Sequence, residues 1–136
     1  MVSDGRGSKL QRLIYELMLE IYPSCTVIYE QPIYAFNMRY GIFVKELGIA
    51  VEIDGVQHSK YVEHFHGDLH GRVSNILADK EKNKFSVENG IKLIRISDAD
   101  KDWDAIKLKN LIESKPYPKA DYISNLLDGR PPSEER

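Results

Sequence analysis

The chain of 136 residues has one cysteine, Cys25. It can form no internal disulfide and no cysteine-based zinc site, which suits a reducing compartment such as the cytoplasm. No apolar run approaches the ~20 residues of a membrane span. The opening MVSDGRGSK has no apolar signal region. The expectation is a cytoplasmic protein with no membrane partner. Neither sign of charge is in excess: 19 Lys and Arg face 21 Asp and Glu, a formal net charge of −2. Bulk charge therefore gives no argument for nucleic acid, and any basic surface must be local. Internal repeats are absent, which removes solenoids and propellers. The 42% hydrophobic and 29% charged residues are ordinary for one globular domain with its own core.

The most informative stretch is 48–58, GIAVEIDGVQH. Ile49, Val51 and Ile53 alternate with Ala50, Glu52 and Asp54. Successive side chains of a strand point to opposite faces, so the three apolar residues can enter a core while Glu52 and Asp54 emerge together. Their Cα atoms would lie roughly 6.6 Å apart, two strand rises. Gly55 permits a turn, and Gln57 and His58 follow directly. Two carboxylates, an amide and an imidazole can hold a hard divalent cation and move a proton beside it. A single acid here reads as a strand ending in solvent. The whole group at the end of an apolar strand reads as a site.

Along the chain, Ser8 is placed to cap a helix carrying Leu10, Leu13, Ile14, Leu17, Met18 and Ile21 at helical spacing, ended near Pro23. Residues 26–29 and 33–36 are rich in strand formers and split by Pro32, which predicts a broken or bulged strand. A second strand is expected over 38–44, and 45–48 turns into the third. Residues 59–72 are polar, and all four histidines fall between positions 58 and 70. Such clustering suggests metal or phosphate contacts. No HExxH pair is present, and a long loop over a nucleic-acid or substrate groove is favoured over a zinc site. That gives Gln57, His64 and His66 a candidate nucleic-acid role. Residues 73–89 return to helical spacing, stopped by Gly90. Lys80, Lys82 and Lys84 read as a solvated face from which one could meet phosphate. Asp79, an acid in a basic turn, could point back to the site. Residues 91–97, IKLIRIS, read as a strand buried on both faces. Two further helices are expected over 98–114 and 120–127, with Trp103 as a core anchor, and 129–136 reads as a flexible tail. The predicted fold class is α/β: a mixed sheet flanked by helices in the order α-β-β-β-α-β-α-α. It forms one domain over 1–128, with a core at about 8–97 and a helical extension at about 98–128.

The pattern E-x-D-G-x-Q-H, here Glu52, Asp54, Gly55, Gln57 and His58, resembles the very short patch repair endonuclease group. That group belongs to the PD-(D/E)XK, or restriction-endonuclease-like, superfamily. The piece 79–83, DKEKN, and GIKLIRI at 90–96 are similar to the same group's helix and last core strand. The resemblance spans roughly residues 9–96. It implies a restriction-endonuclease-like core, α-β-β-β-α-β, and a Mg²⁺-dependent (or Mn²⁺-dependent) DNA endonuclease or nickase, with DNA as partner. Relatives of this kind include phage and mobile-element nucleases. Carried across, Glu52 and Asp54 would hold the metal, His58 would transfer a proton, Asp79 would support the site, and Lys82 would touch the scissile phosphate. Lys80 is a weaker candidate for contact with nucleic acid.

One departure weighs against these matches. The group expects a metal-binding Asp in the preceding strand, and the aligned position is Gly41. Its N-terminal helix often carries a Glu, and Gln11 aligns there. Three explanations follow: a catalytically silent relative that binds DNA or a protein partner, a substitute acid such as Glu30 or Asp68, or a disarming substitution at Gly41.

Overall fold

The computed structural model describes residues 5–33, 38–54, 69–100, 102–124 and 126–127, with the side chains of 5–8 and 69–78 excepted. Seven elements follow in order: α1 (Gly5–Ile21), β1 (Val27–Ile33), β2 (Met38–Val44), β3 (Ile49–Asp54), α2 (Leu69–Glu88), β4 (Lys92–Ser97) and α3 (Ala105–Ser114). The four strands form one sheet in the order β1-β2-β3-β4. The first three pair antiparallel, and β4 runs parallel to β3. Parallel neighbours need a crossover, and α2 lies in that connection. The protein is thus mixed α/β, as its patterning predicts.

Two apolar clusters sandwich the sheet. Leu10, Ile14 and Met18 of α1 and Leu108 and Ile112 of α3 pack on Ile42, Val44, Ile49, Val51, Ile94 and Ile96. Phe85 of α2 and Leu126 and Leu127 of the C-terminal segment pack on the other side, around Ile33, Tyr40, Phe43 and Ala50. The alternation in β3 is therefore as the sequence has it. Trp103 also packs against the first cluster, in line with its reading as an anchor.

The strand break falls at Glu30 rather than Pro32. Register runs one to one on both sides of it, with Tyr29 opposite Ile42 and Gln31 opposite Tyr40. Yet Ile42 belongs to the first cluster and Tyr40 to the second, although residues two apart on a regular strand share a face. The Tyr40 and Phe43 rings stack at 5.6 Å, three residues apart. Both strands therefore exchange faces at the Glu30–Gly41 step. Glu30 has φ +61, a left-handed conformation that disfavours most side chains. Pro32 sits on an edge strand, where a missing donor is tolerated.

Other boundaries move for local reasons. Helix α1 starts at Gly5, ahead of the expected Ser8 cap. Helix α2 starts at Leu69, inside the stretch read as loop. Helix α3 starts at Ala105, where Asp104 Oδ1 accepts the Lys107 N–H at 2.8 Å. The expected helix over 120–127 does not form. The C-terminal extension is thus one helix followed by an irregular strap, not a pair of helices. Pro116 and Pro118 break the chain, and the strap lies over two glycines. Tyr122 covers Gly48, and its hydroxyl donates to the Lys45 carbonyl. Gly90 (φ +69) ends α2, with Ile91 N–H donating to Ser86 O at 2.9 Å, the six-to-one bond of a glycine helix stop.

A Cβ at Gly90 would run into the Ala120 carbonyl oxygen and lie 2.7 Å from Tyr122 N. These are main-chain atoms that cannot swing away. Gly90→Ala should therefore cost more than the ~1–2 kcal/mol of a left-handed alanine alone. Urea unfolding should show a lower midpoint at unchanged slope, and a smaller loss for Gly48→Ala, whose obstacle is the Tyr122 ring.

Candidate active site

The ladder between β2 and β3 ends at the Ile42–Val51 pair. The next residues across are Gly41 and Glu52, and here a side chain replaces the ladder. Glu52 Oε2 accepts the Gly41 N–H at 2.9 Å. The Gly41 carbonyl accepts from Gln11 Nε2 of α1 at 3.2 Å, and the same amide donates to Glu30 Oε2 at 2.8 Å. Gly41, Gln11, Glu30 and Glu52 therefore meet at one point. A Cβ at Gly41 would lie 3.1 Å from Val51 O and 3.4 Å from the Gln11 amide. Gln11 thus lines the space that a larger residue at 41 would enter.

The other Glu52 oxygen, Oε1, lies 3.2 Å from Lys82 Nζ, and the two side chains are only 15% and 12% exposed. Helix α2 is held in place under this pair by a chain of hydroxyls. Ser86 Oγ donates to Lys82 O at 2.8 Å, and Tyr40 donates to Ser86 at 2.6 Å. Burial raises the Glu52 carboxyl above its ordinary value of 4.5, against the pull of the Lys82 ammonium and the Gly41 N–H. Burial also pushes the Tyr40 hydroxyl up to about 12.

Asp54 lies on the same face but has a different cation. Arg95 of β4 donates from Nη1 to Asp54 Oδ1 at 3.0 Å and from Nη2 to Asn83 Oδ1 at 2.9 Å. Nη2 also lies 3.6 Å from Asp79 Oδ1. These groups are more exposed, at 51% for Asp54 and 64% for Asp79, where ion pairs contribute at most about 1 kcal/mol each. The face is thus a row of acids with interleaved cations: Lys82 on Glu52, and Arg95 joining Asp54 to Asp79.

Four of the sequence-derived site residues, Glu52, Asp54, Asp79 and Lys82, come together in this row. Lys80 is exposed on α2 and is not part of this row. Gln57, His58, His64, His66 and Asp68 lie outside the described residues. Among the described residues, no three His, Cys, Asp or Glu side chains converge as a metal-holding group. The sequence reading missed Arg95 and Asn83. The signal for Arg95 was a lone arginine within IKLIRIS, and its position beside Glu52 depends on the parallel register. No family model, curated protein or solved structure matches the chain. No described helix is long and apolar enough to cross a membrane.

The raised Glu52 pKa sets a sign. The folded chain holds this proton more tightly than the unfolded one, so the stability it contributes is complete below the unfolded value and is lost as pH rises through the folded pKa. Removing the Lys82 charge should enlarge that loss. In Lys82→Met, carbon-detected NMR titration should find the Glu52 carboxyl displaced further upward, and thermal melting should fall more steeply between acid and neutral pH than in the parent.

Proposed function

We propose that the chain is a metal-dependent DNA endonuclease or nickase on a restriction-endonuclease-like core. The observation that carries this reading is the placement of Glu52 and Asp54, side by side at the end of β3, with a lysine and an arginine on the elements beside them. The element order α-β-β-β-α-β and the sheet order agree with that core. The donor set fits a hard cation in kind: Mg²⁺ or Mn²⁺ takes one or two carboxylates and fills its other positions with water and phosphate oxygens.

Glu52 and Asp54 would hold the cation, which supplies charge neutralisation at the phosphate and an acidified water. Lys82, released from Glu52, would meet a phosphate oxygen. Arg95 orients Asp54, and Asp79 and Asn83 orient Arg95. His58, four residues beyond Asp54, is the proton-transfer group on the strength of its sequence position. Gly41 leaves the site one carboxylate short of the group it resembles, and Glu30, held against Gly41 through Gln11, is the substitute acid among the described residues.

A second reading has its own support: a silent relative that keeps the fold for binding. Gly41 lacks a ligating side chain, Gln11 lines the space beside it, and Lys82 already balances Glu52.

Plasmid nicking with Mg²⁺ or Mn²⁺ separates the two. The first reading expects metal-dependent nicking by the protein itself, abolished in Glu52→Gln and reduced about 10²–10⁴-fold in His58→Ala. Nicking by Gly41→Asp alone identifies a disarmed nuclease whose other site residues are in place, and also overturns the first reading for the protein itself. Absence of nicking from both versions overturns the first.

A further inference from the structure

Strand β4 closes one edge of the sheet, and among the described residues no strand pairs with its outer side. The phase of its hydrogen bonds shows which residues face outward. Lys92 N–H donates to Gly48 O at 2.8 Å, and Asp98 N–H donates to Asp54 O at 3.0 Å. Even-numbered residues of β4 therefore turn their main-chain groups to β3, and Leu93 and Arg95 turn theirs to the outer edge. An edge of this kind is a template for another strand.

The edge opens into a cleft of about 450 Å³ between β4, α2 and residues 115–118. Two large apolar side chains flank it with unusual exposure, Val87 at 60% and Tyr117 at 46%. Its charged lining is Lys92, Arg95 and Lys115, with no acid. Lys92 is buried, and the Glu113 carboxylate acts on its ammonium. Its Nζ donates to the Ile112 carbonyl at 2.9 Å and lies 4.5 Å from the Tyr117 ring centroid. Lys115 is exposed at the end of α3.

We propose that this edge is a docking site for an extended acidic segment of a protein partner, added to the sheet as a fifth strand. Main-chain bonds to Leu93 and Arg95 would supply affinity, as in other cases of strand addition. Alternate side chains would enter between Val87 and Tyr117, and acidic ones would face the exposed Lys115. A second copy of the chain fits poorly, because pairing two β4 edges sets one cationic cleft against another. Nucleic acid has no use for the ladder groups, and Arg95 is already bound to Asp54. The proposal is independent of phosphodiester cleavage.

The test is fluorescence anisotropy of the full chain with a labelled synthetic peptide, EVEVEV. The competitors are KVKVKV, EVEVEV N-methylated at alternate amides, and a short oligothymidine. The expected result is saturable binding of EVEVEV. It should weaken on the order of tenfold on N-methylation, the value of one or two net hydrogen bonds, and similarly in Lys115→Glu, a surface change that leaves the fold intact. Failure of EVEVEV to bind overturns the proposal. So do equal binding of the N-methylated peptide or of KVKVKV, displacement by oligothymidine, and a concentration-dependent dimer that EVEVEV does not dissociate.

Discussion

A half-buried carboxylate, Glu52, fixes the centre of this protein. It stands where β2 and β3 stop pairing, and it replaces the missing ladder bond with its own oxygen on the Gly41 N–H. Its second oxygen binds Lys82 and so ties α2 to the sheet. Taking an acid and a lysine out of water is costly, and the pair offsets that cost only because both Glu52 oxygens are engaged. The raised proton affinity of Glu52 is the residue of that imbalance. A carboxylate that burial has left poorly solvated gains from any added positive charge, which is why this position attracts a functional reading.

The exchange of faces at Glu30 and Gly41 serves the same point. Because β1 and β2 both change faces there, the edge half of the sheet offers Ile33, Tyr40 and Phe43 to the second cluster and Val27, Ile42 and Val44 to the first. Tyr40 can then reach Ser86 beneath Lys82, and Gly41 is left with main-chain groups for Gln11 and Glu52. A glycine suits this junction on geometry alone. Gln11 lies close to where a Cβ would sit, so the absence of a carboxylate at 41 and the presence of an amide at 11 belong together.

Local patterning made much of this legible. The period-two alternation over 49–54 placed Glu52 and Asp54 on one face, and Gly90 marked the end of α2. What the alternation could not show is that the face is covered. Glu52 is half-buried because α2 returns over it, a long-range event. Arg95 was missed for the same reason, since only the parallel register sets it beside Glu52. The strap was misread because Tyr122, Ile123, Leu126 and Leu127 satisfy helical spacing, whereas in the fold Tyr122 covers Gly48 and Leu126 and Leu127 fill the second cluster. Pro32 drew attention as the strand breaker, although an edge strand tolerates it; the break is at Glu30, where a left-handed glutamate leaves no mark in composition. Gln57, His58, His64 and His66, on which much of the sequence argument rested, lie outside the described residues.

The account stands on Glu52 and Asp54 forming a cation-binding pair at the opening beside Gly41. Adding substoichiometric Mn²⁺ to ¹⁵N-labelled protein tests this without reference to any reaction, because the paramagnetic ion broadens amide signals near its site. The account predicts that Gly41, Glu52, Ile53 and Asp54 broaden first and that Glu52→Gln protects them. Broadening centred on the acidic turn at 98–104, or no selective broadening at all, would contradict it.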